Sequence, residues 1–571
     1  MNRIPLARGQ NMKRRIRLLL TRTAACIVLS AFALSTVMQA SPRFEVSFPS
    51  SLRKEPVTGR LIVIISHKES PEPRLTISPY GSPILGVDVE QLPPGKAAVI
   101  DENALGYPFS SLKEIPEGDY YVQAVMNIYT ECRRSDGHTI WVHLDESQGL
   151  PFNLSPGNLY SDVQKIYLAP DAGTVVELEL SKIIPPATVP ADTEWLKHVR
   201  IQSKLLTKFW GQPMHFGATV LLPKGYDTHP NVYYPAVYVF EHGVPFSFST
   251  DPKTTEAQQA RARAAGLQTG YAFYQSWSSD DFPRFIAITP HQPTPFFPSS
   301  YSVNSANMGP YGDALLQELI PYLEEHFRII RKPYARLVEG ASTGGWEALA
   351  LQLYHPDYFG GAWIFNPDPI DFRRYQLVNI YEDENAFQVP ATDWRFAERP
   401  MRRTTEGQVL DTVRSMSLFE QVLGTRGRSG YQFNGWEAVF GPVGPDGYPK
   451  PLWDKLTGKI DREVASHMRD HGYDLREYAG RNWTDIGPKI KGKLNFFAGE
   501  MDNFYLNLAV YLFEDFLRST VNPHDAGRFE YGRPMKGHNW HPYSWAEMLR
   551  EMAEYIKKKA PAGEDTRAWN Y

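Results

Sequence analysis

Arg336-Leu337-Val338-Glu339-Gly340-Ala341-Ser342-Thr343-Gly344-Gly345-Trp346 is the stretch on which the reading of this chain turns. Residues 336–339 form a short β-run and 346–354 read as a helix. The G-x-S-x-G pattern at 340–344 therefore sits at a strand-to-helix turn. Such a turn holds its serine in a strained backbone conformation while the glycines relieve the crowding. The following helix brings N–H groups and partial positive charge to any oxyanion that forms there. An ordinary βα turn in which Ser342 only caps the helix is the alternative reading of the same residues.

Outward from the turn, β-runs at 217–222, 236–240, 285–289, 336–339, 360–365 and 493–497 alternate with helical patterns at 311–327, 346–354, 506–517 and 543–558. In the first of these helices Leu315, Leu316, Leu319, Ile320, Leu323 and Phe327 share one face. This alternation predicts an α/β domain, a mostly parallel sheet with helices on both faces, over 215–560. Residues 373–485 break the rhythm and are far too long for a structureless loop, so they read as a partly helical insertion over the strand ends. Residues 41–185 contain β-branched and aromatic runs separated by Pro/Gly turns and no helical period, which predicts a smaller all-β sandwich of Ig-like type. A proline-rich linker and lead-in at 186–214 joins the two, and 561–571 is a tail.

The 571 residues allow two to four domains, and 22% charged with 42% hydrophobic residues is a globular composition. Two cysteines, Cys26 and Cys132, exclude a disulfide-stapled scaffold and a multi-cysteine metal site. Residues 1–40 carry a basic start (Lys13, Arg14, Arg15, Arg17) and an uncharged run from Thr23 to Ala40, the pattern of a secretory signal peptide, with an uncleaved anchor as the rival. Removing that segment takes seven basic and no acidic residues, so the formal charge of −4 becomes −11. Such a balance excludes a basic nucleic-acid binder.

A serine hydroxyl needs a base. In the chain order Ser, acid, His, the base lies after Ser342. His355 stands at the far end of the elbow helix, about 20 Å away at ~1.5 Å per residue, and His467 and His471 fall in the insertion. His538, after Gly537 in a loop before the last helix, is the candidate base. His541 reads as a helix-start or pocket-wall residue; the His538-x-x-His541 spacing has no third ligand to make a metal site. The acid should follow a late strand, and the loop after 493–497 offers Asp502, with Glu500 second. A carboxylate at 502 would fix the histidine tautomer, although Asp502 as cap of the helix near Phe504 is the competing reading. The oxyanion hole needs two backbone donors: Thr343, after the nucleophile, and Val244 or Gly243, after the strand at 236–240; Pro245 has no N–H. His242, Trp346, Tyr301 and Trp540, with Phe296 and Phe297, are candidates for an aromatic substrate pocket, with burial in the core as the alternative. No metal or cofactor is expected.

Several ordered segments carry a resemblance. They are Val220-Leu221-Leu222-Pro223-Lys224-Gly225-Tyr226-Asp227, the run from Tyr234 to Gly243, Glu318 to Leu323, the elbow, His355-Pro356-Asp357-Tyr358-Phe359, Gly499 to Asp502, and Gly537-His538. Together they resemble the putative esterase family, the esterase D-like branch of the α/β-hydrolases, over about 215–558. The resemblance implies the α/β-hydrolase fold and a serine, acid and histidine at Ser342, Asp502 and His538, and some relatives add an N-terminal β-sandwich. Two departures stand out: an Ala-Ser-Thr elbow where many relatives have His-Ser-Met, and the long insertion. The expected function is an exported, periplasmic or extracellular serine hydrolase of a small-molecule or carbohydrate-linked carboxylic ester, working through an acyl-enzyme on Ser342. An acyltransferase with the same triad and a catalytically silent surface binding protein are the alternatives. No nucleic acid and, after signal cleavage, no membrane is expected as partner; the residues do not decide the oligomeric state.

Overall fold

The structure, a computed structural model, describes residues 41–144, 149–169, 172–188, 190–241 and 243–571. The export signal read at 1–40 and His242 lie outside the described residues.

Residues 41–184 fold into two packed sheets. A three-stranded sheet orders Val175–Glu179, Arg43–Ser47 and Ala98–Ile100; a larger antiparallel sheet is centred on Val57–Ser66, flanked by Gly118–Ile128 and Ile84–Leu92. Strand period two sorts the side chains of Val57–Ser66 onto opposite faces. Leu61, Val63 and Ile65 join Phe44, Val46, Val122 and Leu178 in the sandwich core, while Ile62 and Ile64 belong to the core of the following domain. All ten residues of this strand are buried, because each face has a partner.

The second domain holds a sheet of eight strands: β1 (Leu196–Ser203), β2 (Met214–Leu221), β3 (Ala236–Phe240), β4 (Ile286–His291), β5 (Arg336–Ala341), β6 (Gly361–Phe365), β7 (Leu494–Gly499) and β8 (Arg528–Gly532). They lie in the order β1-β2-β4-β3-β5-β6-β7-β8, and β3 to β8 run parallel while β2 is antiparallel to β1 and β4. Every residue of β3 and β6 is buried, as a sheet covered by helices on both faces requires. This is the α/β-hydrolase arrangement.

Three boundaries differ from the sequence reading. The sheet begins at Leu196, inside the stretch read as linker, because β1 is a half-exposed edge strand whose charged residues hide its alternation. β8 was not read as a strand for the same reason: Arg528 and Glu530 sit in a half-exposed edge. The tail at 561–571 packs back onto the domain, with Trp569 buried against Phe285 and Tyr571 stacked on His229 at 3.6 Å.

Between β6 and β7 the insertion forms helices Val413–Leu423, Gln432–Phe440, Arg462–Asp470 and Leu475–Ile490 and two hairpins, one of them pairing Pro400–Arg403 with Val409–Thr412. Its aromatic residues Phe433, Trp436, Phe440 and Trp453 join the main core. Helix Val413–Leu423 lies on the large sheet of the sandwich, where buried Arg60 donates from Nε to the Val422 carbonyl (2.9 Å) and from Nη2 to that of Gln421 (3.1 Å).

Candidate active site

β5 ends in the turn that carries Ser342 and leads directly into helix Thr343–Tyr354. Ser342 has φ 56° and ψ −119°, a conformation unfavourable to any residue with a side chain. The glycines make it reachable: a Cβ on Gly344 would lie 1.8 Å from the Phe240 carbonyl oxygen, and one on Gly340 would lie 2.4 Å from Gly344 backbone atoms. The turn is pinned by Ser342 N to Phe365 O (3.0 Å) and Asp368 N to Ser342 O (3.0 Å). Ser342 thus interrupts strand and helix instead of capping the helix through its side chain.

Beyond β7, Asp502 is fully buried and its two oxygens act differently. Oδ1 accepts the N–H groups of Phe504 (2.8 Å) and Leu506 (3.2 Å), and Oδ2 bonds His538 Nδ1 at 2.7 Å. Asp502 is not the cap of the following helix, which runs from Asn507 after Leu506; its Oδ1 holds the turn before that helix while its Oδ2 faces His538. Glu500 turns elsewhere, accepting Met535 N (2.8 Å) and pairing with Arg533 at 3.3 Å. His538 is fixed by its N–H to Asn503 Oδ1 (3.0 Å) and packs edge-on to Phe504. Burial opposes its protonation, but the charge and hydrogen bond of Asp502, joined by the charge of Asp368, outweigh this and hold His538 above the ordinary histidine value.

Ser342, Thr343, Gly243, His538 and His541 line one cleft of about 1240 Å³ with Phe297, Gln432 and residues from the segment between Ser247 and Tyr271. Gly243 enters it with φ +92° and open space at its Cβ position. Val244 does not line the cleft; it begins the short helical turn Pro245–Ser247. His541 stacks on Phe365 at 4.4 Å and its Nδ1 faces the Asn539 carbonyl, while burial pushes it down to about 4.

The aromatic pocket read from the sequence is corrected here. Trp346 and Tyr301 are fully buried and pack on each other and on Phe440, and Phe296 is core as well. Trp540 is not part of the cleft wall; its ring covers Gly532. Phe297 is the member of that set that reaches the cleft, whose wall mixes polar residues such as Gln258, Gln268, Gln292 and Asn539 with Leu267, Tyr271 and Trp545.

The sequence reading missed Asp368, three residues past β6. Ser342 Oγ donates to its Oδ1 at 3.2 Å. Its Oδ2 accepts Tyr301 OH (2.6 Å), Thr343 Oγ1 (3.0 Å), Gln432 Nε2 (2.9 Å) and Trp436 Nε1 (3.2 Å). Burial raises the Asp368 carboxyl despite these donors. Asn366 was missed too; it ties strand ends together, taking Gly499 N at 2.9 Å and donating to Trp540 O at 3.2 Å. The readable signal was their place, a polar Asn-Pro-Asp at the carboxyl end of a core strand, where sites in such sheets lie. Two further carboxyls lie near the ends of β3 and β5, Glu241 on the cleft wall and Glu339 within the strand. Glu241 is pushed up to about 7 by burial, and buried Glu339, on β5, is raised further by burial and by Glu241.

Residues 210–389, from just before β2 into the insertion, match the family described as Putative esterase. No curated protein matches. Among solved structures, a ferulic acid esterase is 16% identical, covering 64% of this chain and 98% of its own, with a TM-score of 0.30. The fluorophosphonate-binding serine hydrolase F of Staphylococcus aureus is 14% identical (63% and 98%, TM-score 0.32). An S-formylglutathione hydrolase of Agrobacterium tumefaciens is 12% identical (64% and 96%, TM-score 0.29). TM-scores this low say nothing about the substrate of this chain.

Proposed function

We propose that this chain, a carboxylic ester hydrolase whose residues 210–389 match the family described as Putative esterase, is an exported serine esterase that works through an acyl-enzyme on Ser342. One observation carries the reading. A serine strained at a strand-to-helix turn opens into the same cleft as a histidine whose Nδ1 is held at 2.7 Å by a buried aspartate. In this mechanism His538 Nε2 takes the Ser342 proton as Oγ attacks the ester carbonyl. Asp502 keeps the Nδ1–H tautomer and stabilises the imidazolium. The Thr343 N–H, with that of Gly243, receives the oxyanion. His538 then gives its proton to the departing alcohol, and a water molecule activated by the same histidine releases the acid. The cleft sets the amides of Gln258, Gln268, Gln292 and Asn539 beside the rings of Tyr271, Phe297 and Trp545, a wall that supports a small-molecule or carbohydrate-linked ester. Export rests on the basic start and uncharged run of residues 1–40.

The test is Ser342→Ala against p-nitrophenyl esters and a fluorophosphonate probe. Loss of turnover by at least about 10³-fold, with loss of labelling, is expected; turnover within tenfold of the parent overturns the assignment. Sequencing the amino terminus of the protein recovered outside the cytoplasm tests export, and an intact residue 1 in that fraction would refute cleavage.

A further inference from the structure

We propose that Asp368 is a positioning residue for the nucleophile. It steadies the Ser342 hydroxyl from behind, supplies a second negative charge to the imidazolium formed on His538, and ties both to the insertion through Gln432 and Trp436. The inference rests on the reading of Ser342, His538 and Asp502 given above.

The two oxygens of Asp368 are unequal. Oδ2 receives four donors from three separate elements: Tyr301, Thr343 at the head of the elbow helix, and Gln432 and Trp436 from the insertion helix Gln432–Phe440. Tyr301 OH is the short donor, and the N–H groups of Gln432 and Trp436 are shared between Oδ2 and Tyr301 OH, which they meet at 2.6 and 2.7 Å, so a cluster of polar groups fixes this oxygen in place. Oδ1 has one side-chain donor, Ser342 Oγ, at 3.2 Å. That bond is long for O–H···O, where about 2.7 Å is usual. It orients the hydroxyl and yields it readily to His538. The proton goes from Oγ to Nε2; Asp368 keeps its charge throughout.

Among the described residues no lysine or arginine bonds this buried carboxylate, so neutral dipoles carry its solvation. Burying an anion on such terms is costly; buried Glu437, by contrast, has Lys455 at 2.6 Å. The titratable groups around Asp368 are Tyr301, His538, Glu347 and Tyr375; those around His538 are Asp502, Asp368, His541 and Arg402. Asp368 and Asp502 thus act on the imidazole with the same sign, opposed by Arg402.

The experiment compares Asp368→Asn, Trp436→Phe and Ser342→Ala with the parent, as full chains, on p-nitrophenyl acetate from pH 5 to 9, with thermal midpoints as controls. Asp368→Asn should lower kcat by about ten- to a thousandfold with KM within about twofold, and should move the acid limb of kcat/KM to lower pH, because a charge that raises His538 is gone. A purely structural role would lower activity and leave the limb in place. Trp436→Phe removes, without touching the cleft, the N–H shared by Tyr301 OH (2.7 Å) and Asp368 Oδ2 (3.2 Å), and so loosens both; kcat should fall roughly three- to tenfold at unchanged KM. If Asp368→Asn does not fold, Trp436→Phe decides alone. Parental kcat in Trp436→Phe, or an unmoved acid limb in a folded Asp368→Asn, overturns the proposal while the triad stands, provided Ser342→Ala is inactive. An active Ser342→Ala removes the triad reading instead.

Discussion

Asp502→Asn puts the catalytic reading to its sharpest test, because the geometry separates the two jobs of this side chain. An asparagine retains Oδ1, so the N–H groups of Phe504 and Leu506, at 2.8 and 3.2 Å, keep their acceptor and the chain turn survives. The other oxygen becomes an NH₂ facing His538 Nδ1 across 2.7 Å. Two donors cannot share that space, so the imidazole carries its proton on Nε2 and presents N–H to Ser342. A base in that tautomer cannot accept the serine proton. The expected loss in kcat is about 10³- to 10⁴-fold, which is roughly 4–5.5 kcal/mol at ~1.36 kcal/mol per decade. The pH profile adds a sign. The active base is neutral, so the rate rises with pH through the folded value of His538, which Asp502 and Asp368 hold above normal against burial. Removing the Asp502 charge lowers that value, and the residual activity reaches its plateau at lower pH than in the parent. Initial rates on p-nitrophenyl acetate between pH 5 and 9, with thermal midpoints to establish folding, measure both. A folded variant that keeps more than a tenth of parental kcat would refute the assignment of Asp502.

Three further outcomes test the supporting structure. Gly344→Ala drives a Cβ to 1.8 Å from the Phe240 carbonyl oxygen, so soluble yield should collapse or stability fall by at least roughly 3 kcal/mol; a parental thermal midpoint would contradict the turn geometry. Arg60→Ala leaves the Gln421 and Val422 carbonyls unpaired at the seam of the two domains and should cost about 2–4 kcal/mol, read as a lower urea midpoint. Glu420 is buried and pushed from 4.5 up to about 7, mainly by burial. Its folded state therefore binds a proton more tightly than the unfolded chain, and stability falls as pH rises from about 4.5 to 7, by roughly 3 kcal/mol at most. Urea unfolding at pH 5 and 8 should show this difference, and Glu420→Gln should reduce it.

The central strands β3 to β7 were legible because burial on both faces leaves nearly unbroken β-branched and aromatic runs, as in Ala236–Phe240. β1 and β8 were not, since an edge strand exposes one side and admits Arg200 or Glu530 without penalty. The candidate triad was readable because chemistry restricts it to few residue types in a fixed chain order. The pocket was not. Trp346 and Tyr301 lie beside the nucleophile in sequence or topology, but a helix one turn past the elbow points its bulky side chains into the core, and the hydroxyl of Tyr301 is drawn to Asp368. Residue type gives no direction, and the amides that line the cleft come from segments whose approach no local pattern records.

The insertion shows most clearly what local pattern leaves out. Its hairpin strand Pro400–Arg403 grips the acid loop, Arg403 donating from Nε to Asp502 O at 3.0 Å and from N to Asn503 O at 2.8 Å. Its helix Gln432–Phe440 supplies two of the four side-chain donors on Asp368 Oδ2. Its helix Val413–Leu423 rests on the sandwich sheet, with Tyr107 edge-on to Phe419 at 5.2 Å and Arg60 on the helix end. One segment thus touches the acid, the support of the nucleophile and the amino-terminal domain. A strand buried on both faces cannot lose one neighbour without exposing a face, and Val57–Ser66 has the main core on one side. The β-domain is therefore part of what holds the insertion against the strand ends, and the geometry of Ser342 depends on residues more than 250 positions before it.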